Sequence, residues 1–104
     1  MPAYELTPEA EADLEGIAEY TLREWGAEQQ AHYAALLEAG FTRIADGAAI
    51  PRRFSEHYSH VFVTRCEHHY VFYIRPEGTP APRILAVLHE RMNLIARLRD
   101  RLER

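Results

Sequence analysis

A chain of 104 residues, 47% hydrophobic and 11% aromatic, is expected to form one globular domain with a modest core. Its net charge of −4 and pI near 5.8 argue against a dedicated nucleic-acid binder, and Cys66, the single cysteine, excludes an intrachain disulfide and fits a reducing, cytoplasmic setting. No apolar run approaches a membrane span, and the N-terminus leads straight to Glu5 and Glu9 without a basic-plus-apolar leader, so a soluble protein is expected.

In chain order, residues 3–6 predict a short strand. Thr7-Pro8-Glu9 then opens a helix, with threonine as N-cap, proline at the first helical position and an acid in the first turn. Ala10, Leu14, Ile17, Ala18, Thr21 and Trp25 share one face at helical spacing. Gly26 is a natural C-cap. A second helix over 27–45 carries Tyr33, Leu37, Phe41 and Ile44 as its stripe. Gly40 within it costs roughly 1 kcal/mol against alanine, which points to close packing at that position. The short link at Gly26 makes the pair an antiparallel hairpin.

Residues 48–59 read as a loop. A strand over 60–66 follows, with Val61, Phe62 and Val63, and Glu67-His68 forms a tight turn into a strand over 69–75. The turn-rich segment from Pro76 to Pro82 leads to a last strand over 83–91. The runs His69-Tyr70-Val71-Phe72-Tyr73-Ile74 and Ile84-Leu85-Ala86-Val87-Leu88 are continuously apolar after the histidine, as strands buried on both faces require. Asn93 caps a final helix with Leu94, Ile95, Leu98 and Leu102 as its stripe. The expected fold is α+β: an N-terminal strand and an antiparallel helix hairpin packed on a small antiparallel sheet, with a short C-terminal helix.

Charge is unevenly spread along this order. Residues 1–50 hold ten acids against Arg23 and Arg43, whereas residues 51–104 hold ten arginines against six acids. The halves should offer surfaces of opposite sign if the fold keeps them apart. Every basic residue is arginine. Arginine suits bidentate pairing with carboxylate or phosphate, although a GC-rich coding bias explains the preference more simply.

Several segments together resemble the ParE branch of the RelE/ParE toxins of bacterial toxin–antitoxin systems. Tyr4-Glu5-Leu6-Thr7-Pro8-Glu9-Ala10 looks like the family's opening strand and helix start, and Tyr20-Thr21 with Trp25-Gly26 like its hairpin corner. His69-Tyr70-Val71-Phe72-Tyr73 is similar to its central strand, and Ile84 to Met92, with Leu88-His89-Glu90-Arg91, to its closing strand. The resemblance implies a cytoplasmic growth-inhibiting toxin, neutralised by a cognate ParD-like antitoxin and directed at DNA gyrase. RelE-like relatives instead cut mRNA on the ribosome. That chemistry must deprotonate a 2′-hydroxyl, stabilise a phosphorane and protonate a leaving oxygen. The absence of lysine and of a basic-tyrosine ending favours the ParE reading, while His89 and Arg91 keep the endoribonuclease reading open. A non-toxic interaction module with the same fold is the third class.

The expected binding residues for target or antitoxin are Arg65, Arg75, Arg83, His89 and Arg91, basic groups at strand ends where an anionic partner can reach them. The plainer reading makes the arginines solvated strand ends, with Arg91 paired to a hairpin carboxylate and His89 bonded within the sheet edge. No catalytic residue, cofactor or metal is expected. His57-x-x-His60 and His68-His69 lack a recognised zinc spacing, and adjacent strand histidines point to opposite faces.

Overall fold

The computed structural model describes residues 3–103. Its elements are β1 (Glu5–Leu6), α1 (Pro8–Trp25), α2 (Ala27–Ala45), β2 (Arg52–Arg53), β3 (Phe62–Cys66), β4 (His69–Ile74), β5 (Arg83–His89) and α3 (Leu94–Leu102). The sheet order is β1-β5-β4-β3-β2. The expected α+β architecture is present, with two differences in the sheet. β1 pairs with β5 in parallel, through Glu5↔Arg83 and Leu6↔Ile84, so the sheet is mixed. A two-residue strand, β2, interrupts the expected loop and pairs with Val63 and Phe62. Two exposed arginines carry no apolar alternation from which such a strand could be read.

The local signals set the ends of the elements. Thr7 Oγ1 accepts from the Ala10 N–H at 3.1 Å and Pro8 follows it. Gly26, at φ 90°, ends α1 and starts α2. Glu67, at φ 56°, opens the two-residue turn between β3 and β4, where primed hairpin turns need a positive φ. Asn93 accepts from the Ala96 N–H.

Both sheet faces are covered. The hairpin packs Ala10, Leu37, Phe41 and Ile44 onto Cys66, Val71, Tyr73, Ile84 and Val87. On the other face, Leu98 of α3 joins Val61, Phe72, Ala86 and Leu88. β5 serves both layers through a bulge: Phe72 pairs with Ala86 and Tyr73 with Ile84, leaving Leu85 extra. The bulge shifts the alternation, so Leu85 and Ala86 both belong to the α3 layer. Trp25 and Ile95, placed on apolar stripes by their spacing, are exposed. Trp25 is the last residue of α1 and Ile95 the second of α3.

Beyond Ile84, no strand among the described residues lies on the outer side of β5. Its polar backbone finds side chains instead. The Val87 N–H donates to Asp13 Oδ2 at 2.9 Å, and Arg101 Nη1 donates to the Leu85 carbonyl at 3.1 Å. Arg101 also holds Asp13 through both oxygens, at 2.7 and 3.1 Å, with both side chains largely buried. This pair with the Asp13 carboxylate raises the Arg101 pKa.

Two stability tests follow from this packing. A Cβ on Gly40 would stand 2.5 Å from Cys66 Sγ. Gly40→Ala should therefore destabilise by about 1–3 kcal/mol in chemical denaturation despite its helix propensity, and Cys66→Ala in the same chain should recover part of the loss. Arg101→Ala should cost about 2–4 kcal/mol because it strands Asp13, while exposed Arg97→Ala stays within about 0.5 kcal/mol. Equal effects at the two arginines would mean that α3 is not fastened through Arg101.

Candidate functional site

The antiparallel order of β3, β4 and β5 divides the five expected binding residues between two ends of the sheet. Arg65 stands opposite Tyr70, and His69 opposite both Cys66 and His89. Arg65, His89 and Arg91 therefore share one end. Arg83 pairs with Ile74 at the other, and Arg75 follows directly. Five residues of strand separate the two groups, roughly 17 Å. A strand's exit lies beside its neighbour's start, so arginines at successive exits cannot gather.

Most of these arginines already have internal partners. Arg65 pairs with Glu90, donates from Nε to the Glu67 carbonyl at 2.9 Å, and lies 5.8 Å from the centre of the Tyr70 ring. Arg83 pairs with its cross-strand neighbour Glu5 at 3.1 Å. Arg75 donates to the Ile44 carbonyl at the end of α2, where a cation suits the helix dipole. Arg91 is exposed, and among the described residues no ion pair engages its side chain. No ion pair joins it to a hairpin carboxylate among the described residues. His89 is bonded within the turn that follows β5: its Nδ1 accepts from the Arg91 N–H at 3.1 Å.

Tyr33, His69 and Glu90 complete this end of the sheet. Tyr33 on α2 accepts from the His68 N–H at 3.1 Å and meets His69 Nδ1 at 2.6 Å. The amide donates to the hydroxyl oxygen, which leaves the hydroxyl proton available to Nδ1. Burial raises the Tyr33 pKa and keeps the phenol a donor. Burial first, then His89 and His68, lower the His69 pKa to about 4. His69 also packs edge-on against His89, with ring centres 5.1 Å apart. Glu90 is held by Arg65 and lies 3.5 Å from His68. Tyr33 was legible only as part of an apolar stripe, because nothing in the sequence links it to a histidine 36 positions away.

A second feature lies on the hairpin. Leu14, Ile17, Ala18, Leu37 and Phe41 line a groove of about 140 Å³ between α1 and α2, open to solvent. Tyr33 lines it too, so groove and sheet end are continuous. Among the described residues, no group of three or more histidine, cysteine or acidic side chains could hold a metal ion. No helix there is long and apolar enough to cross a membrane.

Comparison with known proteins gives the family. A family profile described as the ParE toxin of the parDE type II toxin–antitoxin system matches residues 4–94. The chain belongs to the ParE toxin family. It is 52% identical over 103 residues to Toxin ParE of Escherichia coli, covering 99% of both chains. It is 35% identical to Toxin ParE1 of Caulobacter vibrioides, covering 94% of this chain and 99% of that one. The fold matches a chain of the chromosomal ParDE system of P. aeruginosa with a TM-score of 0.66 at 18% identity, over 84% of this chain and 96% of that one. The ParE match takes in Tyr33, His69, His89, Glu90 and Arg91, and leaves most of α3 outside it.

The His69 environment has a pH consequence. An unfolded histidine takes up a proton near pH 6.5, whereas folded His69 stays neutral down to about 4. The stability from burying it neutral is whole above pH 6.5 and is lost as pH falls toward 4, a change on the order of 3 kcal/mol at most. His69→Phe should lose less stability than the unaltered chain between pH 7 and pH 4.5 in urea melts. Parallel losses would show that His69 does not resist protonation.

Proposed function

We propose that this ParE-family toxin arrests growth by binding DNA gyrase without cutting nucleic acid, and that a ParD-like antitoxin neutralises it. The observation that carries this reading is the state of the polar groups at the sheet end. Tyr33 is committed to His69, His69 is buried and neutral, and Arg65 is paired with Glu90. His89 has Nδ1 engaged by backbone. A ribonuclease needs an acid, a base and a phosphorane stabiliser free to converge on one phosphate. Here one arginine, Arg91, stands ready and its neighbours serve one another, which suits a recognition surface. The 52% identity to Toxin ParE of Escherichia coli across nearly the whole chain supports the same assignment.

The antitoxin is expected to bring a segment that folds on binding, with aliphatic anchors in the groove between α1 and α2. Its acids would meet Arg91 directly and compete with Glu90 for Arg65. Arg75 and Arg83, at the far end, would serve only a segment long enough to cross the sheet. The reading implies cytoplasmic action, with no cofactor and no membrane.

Purified toxin tested in a gyrase supercoiling assay beside a translating-ribosome cleavage assay decides the mechanism. Supercoiling should be inhibited with mRNA intact. Arg91→Ala should raise the inhibitory concentration by about tenfold, the effect of one lost charged contact. Codon-phased mRNA cuts with gyrase untouched would instead establish the ribonuclease.

A further inference from the structure

The turn after β5 is held more firmly than an exposed strand end requires. The Glu90 N–H donates to the His68 carbonyl at 3.0 Å, and the Met92 N–H to the His89 carbonyl at 3.0 Å. The Arg91 N–H between them donates to His89 Nδ1 at 3.1 Å. A side-chain acceptor that takes the N–H two residues on is the arrangement of an Asx turn. Here an imidazole supplies it, and the His89-x-Arg91 spacing is the spacing of that bond. To accept, Nδ1 must be bare, so the His89 proton sits on Nε2.

The His89 ring is itself located by other groups. It packs edge-on against His69, which Tyr33 holds at 2.6 Å. One line of contacts thus runs from α2 through Tyr33, His69 and His89 to the backbone of Arg91. Glu90, fixed by Arg65 and facing His68, restrains the same turn from the other side.

We propose that His89 is a positioning residue: its Nδ1 anchors the Arg91 backbone and so pre-sets the direction from which the Arg91 guanidinium meets its partner. The proposal rests on the reading of Arg91 as a contact residue and gives His89 no contact of its own. An arginine carried on a fixed turn loses less freedom when it binds than one on a loose chain end. The Arg91 side chain is exposed, so the anchor sets where it starts and not how far it reaches.

Asparagine and glutamine separate this role from the alternatives. Asparagine Oδ1 can stand where Nδ1 stands, while glutamine places its polar atoms farther out, near the position of Nε2. The full chain would be induced in bacterial cells without antitoxin, and survival counted after a fixed time. His89→Ala, His89→Gln and Arg91→Ala should each raise survival by about tenfold, as loss of one hydrogen bond or one contact does. His89→Asn should restore most of the arrest. The double variant His89→Ala with Arg91→Ala should be no weaker than Arg91→Ala alone, since one residue acts through the other. Amide exchange by NMR should show a protected Arg91 N–H in the unaltered chain and in His89→Asn, and a fast one in His89→Gln. Thermal melts should be alike for the asparagine and glutamine variants.

Restoration by glutamine and not by asparagine would overturn the proposal in favour of a direct Nε2 contact. So would a double variant clearly weaker than Arg91→Ala. A fast Arg91 amide in the unaltered chain would remove the anchor whatever Arg91 touches. A protected amide together with full arrest by Arg91→Ala would instead sink the reading of Arg91 as a contact, and the positioning role with it.

Discussion

Strand β5 contributes to both hydrophobic layers, yet β1 covers only its first two residues. Beyond them its outer edge would present unpaired N–H and C=O groups inside the fold, which is costly. Asp13 and Arg101 meet that constraint together. One carboxylate takes the Val87 N–H and both arms of the guanidinium, and the guanidinium takes the Leu85 carbonyl. The first helix, the last helix and the bulged strand are joined at one point. The bulge matters in its own right, because it turns Leu85 and Ala86 to the α3 layer and returns Val87 to the hairpin layer.

The same principle governs the charges. Ten arginines in the second half of the chain suggest a broad basic surface, but among the described residues carboxylates pair with Arg65, Arg83 and Arg101: Glu90, Glu5 and Asp13 in turn. Two of those carboxylates come from the acidic half, so the fold brings the opposite halves together where it needs them. The two more exposed pairs, Arg65 with Glu90 and Arg83 with Glu5, add little stability. They reduce the charge offered to a partner at the sheet end, where Arg91 has no ion pair among the described residues. The ParE fold thus presents a sheet end whose members are mutually bonded, beside an open apolar groove on the hairpin.

Features that act within a few residues were readable from the chain. The Thr7-Pro8 start, the glycine link at Gly26, the Glu67-His68 turn and the Asn93 cap all appear where their chemistry puts them. Gly40 signalled a close approach, and Cys66 is what it approaches. Trp25 misled because helical spacing says which face a residue shares and not whether anything covers it there; at the last position of α1 it is exposed. β2 gave no signal because its two residues are exposed and are a strand only by virtue of the neighbour they bond.

The sequence by itself determined the hairpin, the two central strands, the capped last helix and the ParE resemblance, because caps, turns and apolar periodicity are local properties of a chain. Only the tertiary structure decided which arginines are free and which residues build the sheet end. Asp13 and Arg101 lie 88 positions apart and Tyr33 and His69 lie 36 apart. No local pattern encodes such a pair. It exists because packing two helices and a bulged strand leaves particular backbone and ring atoms without water, and those atoms must find whatever polar side chain the fold brings within reach.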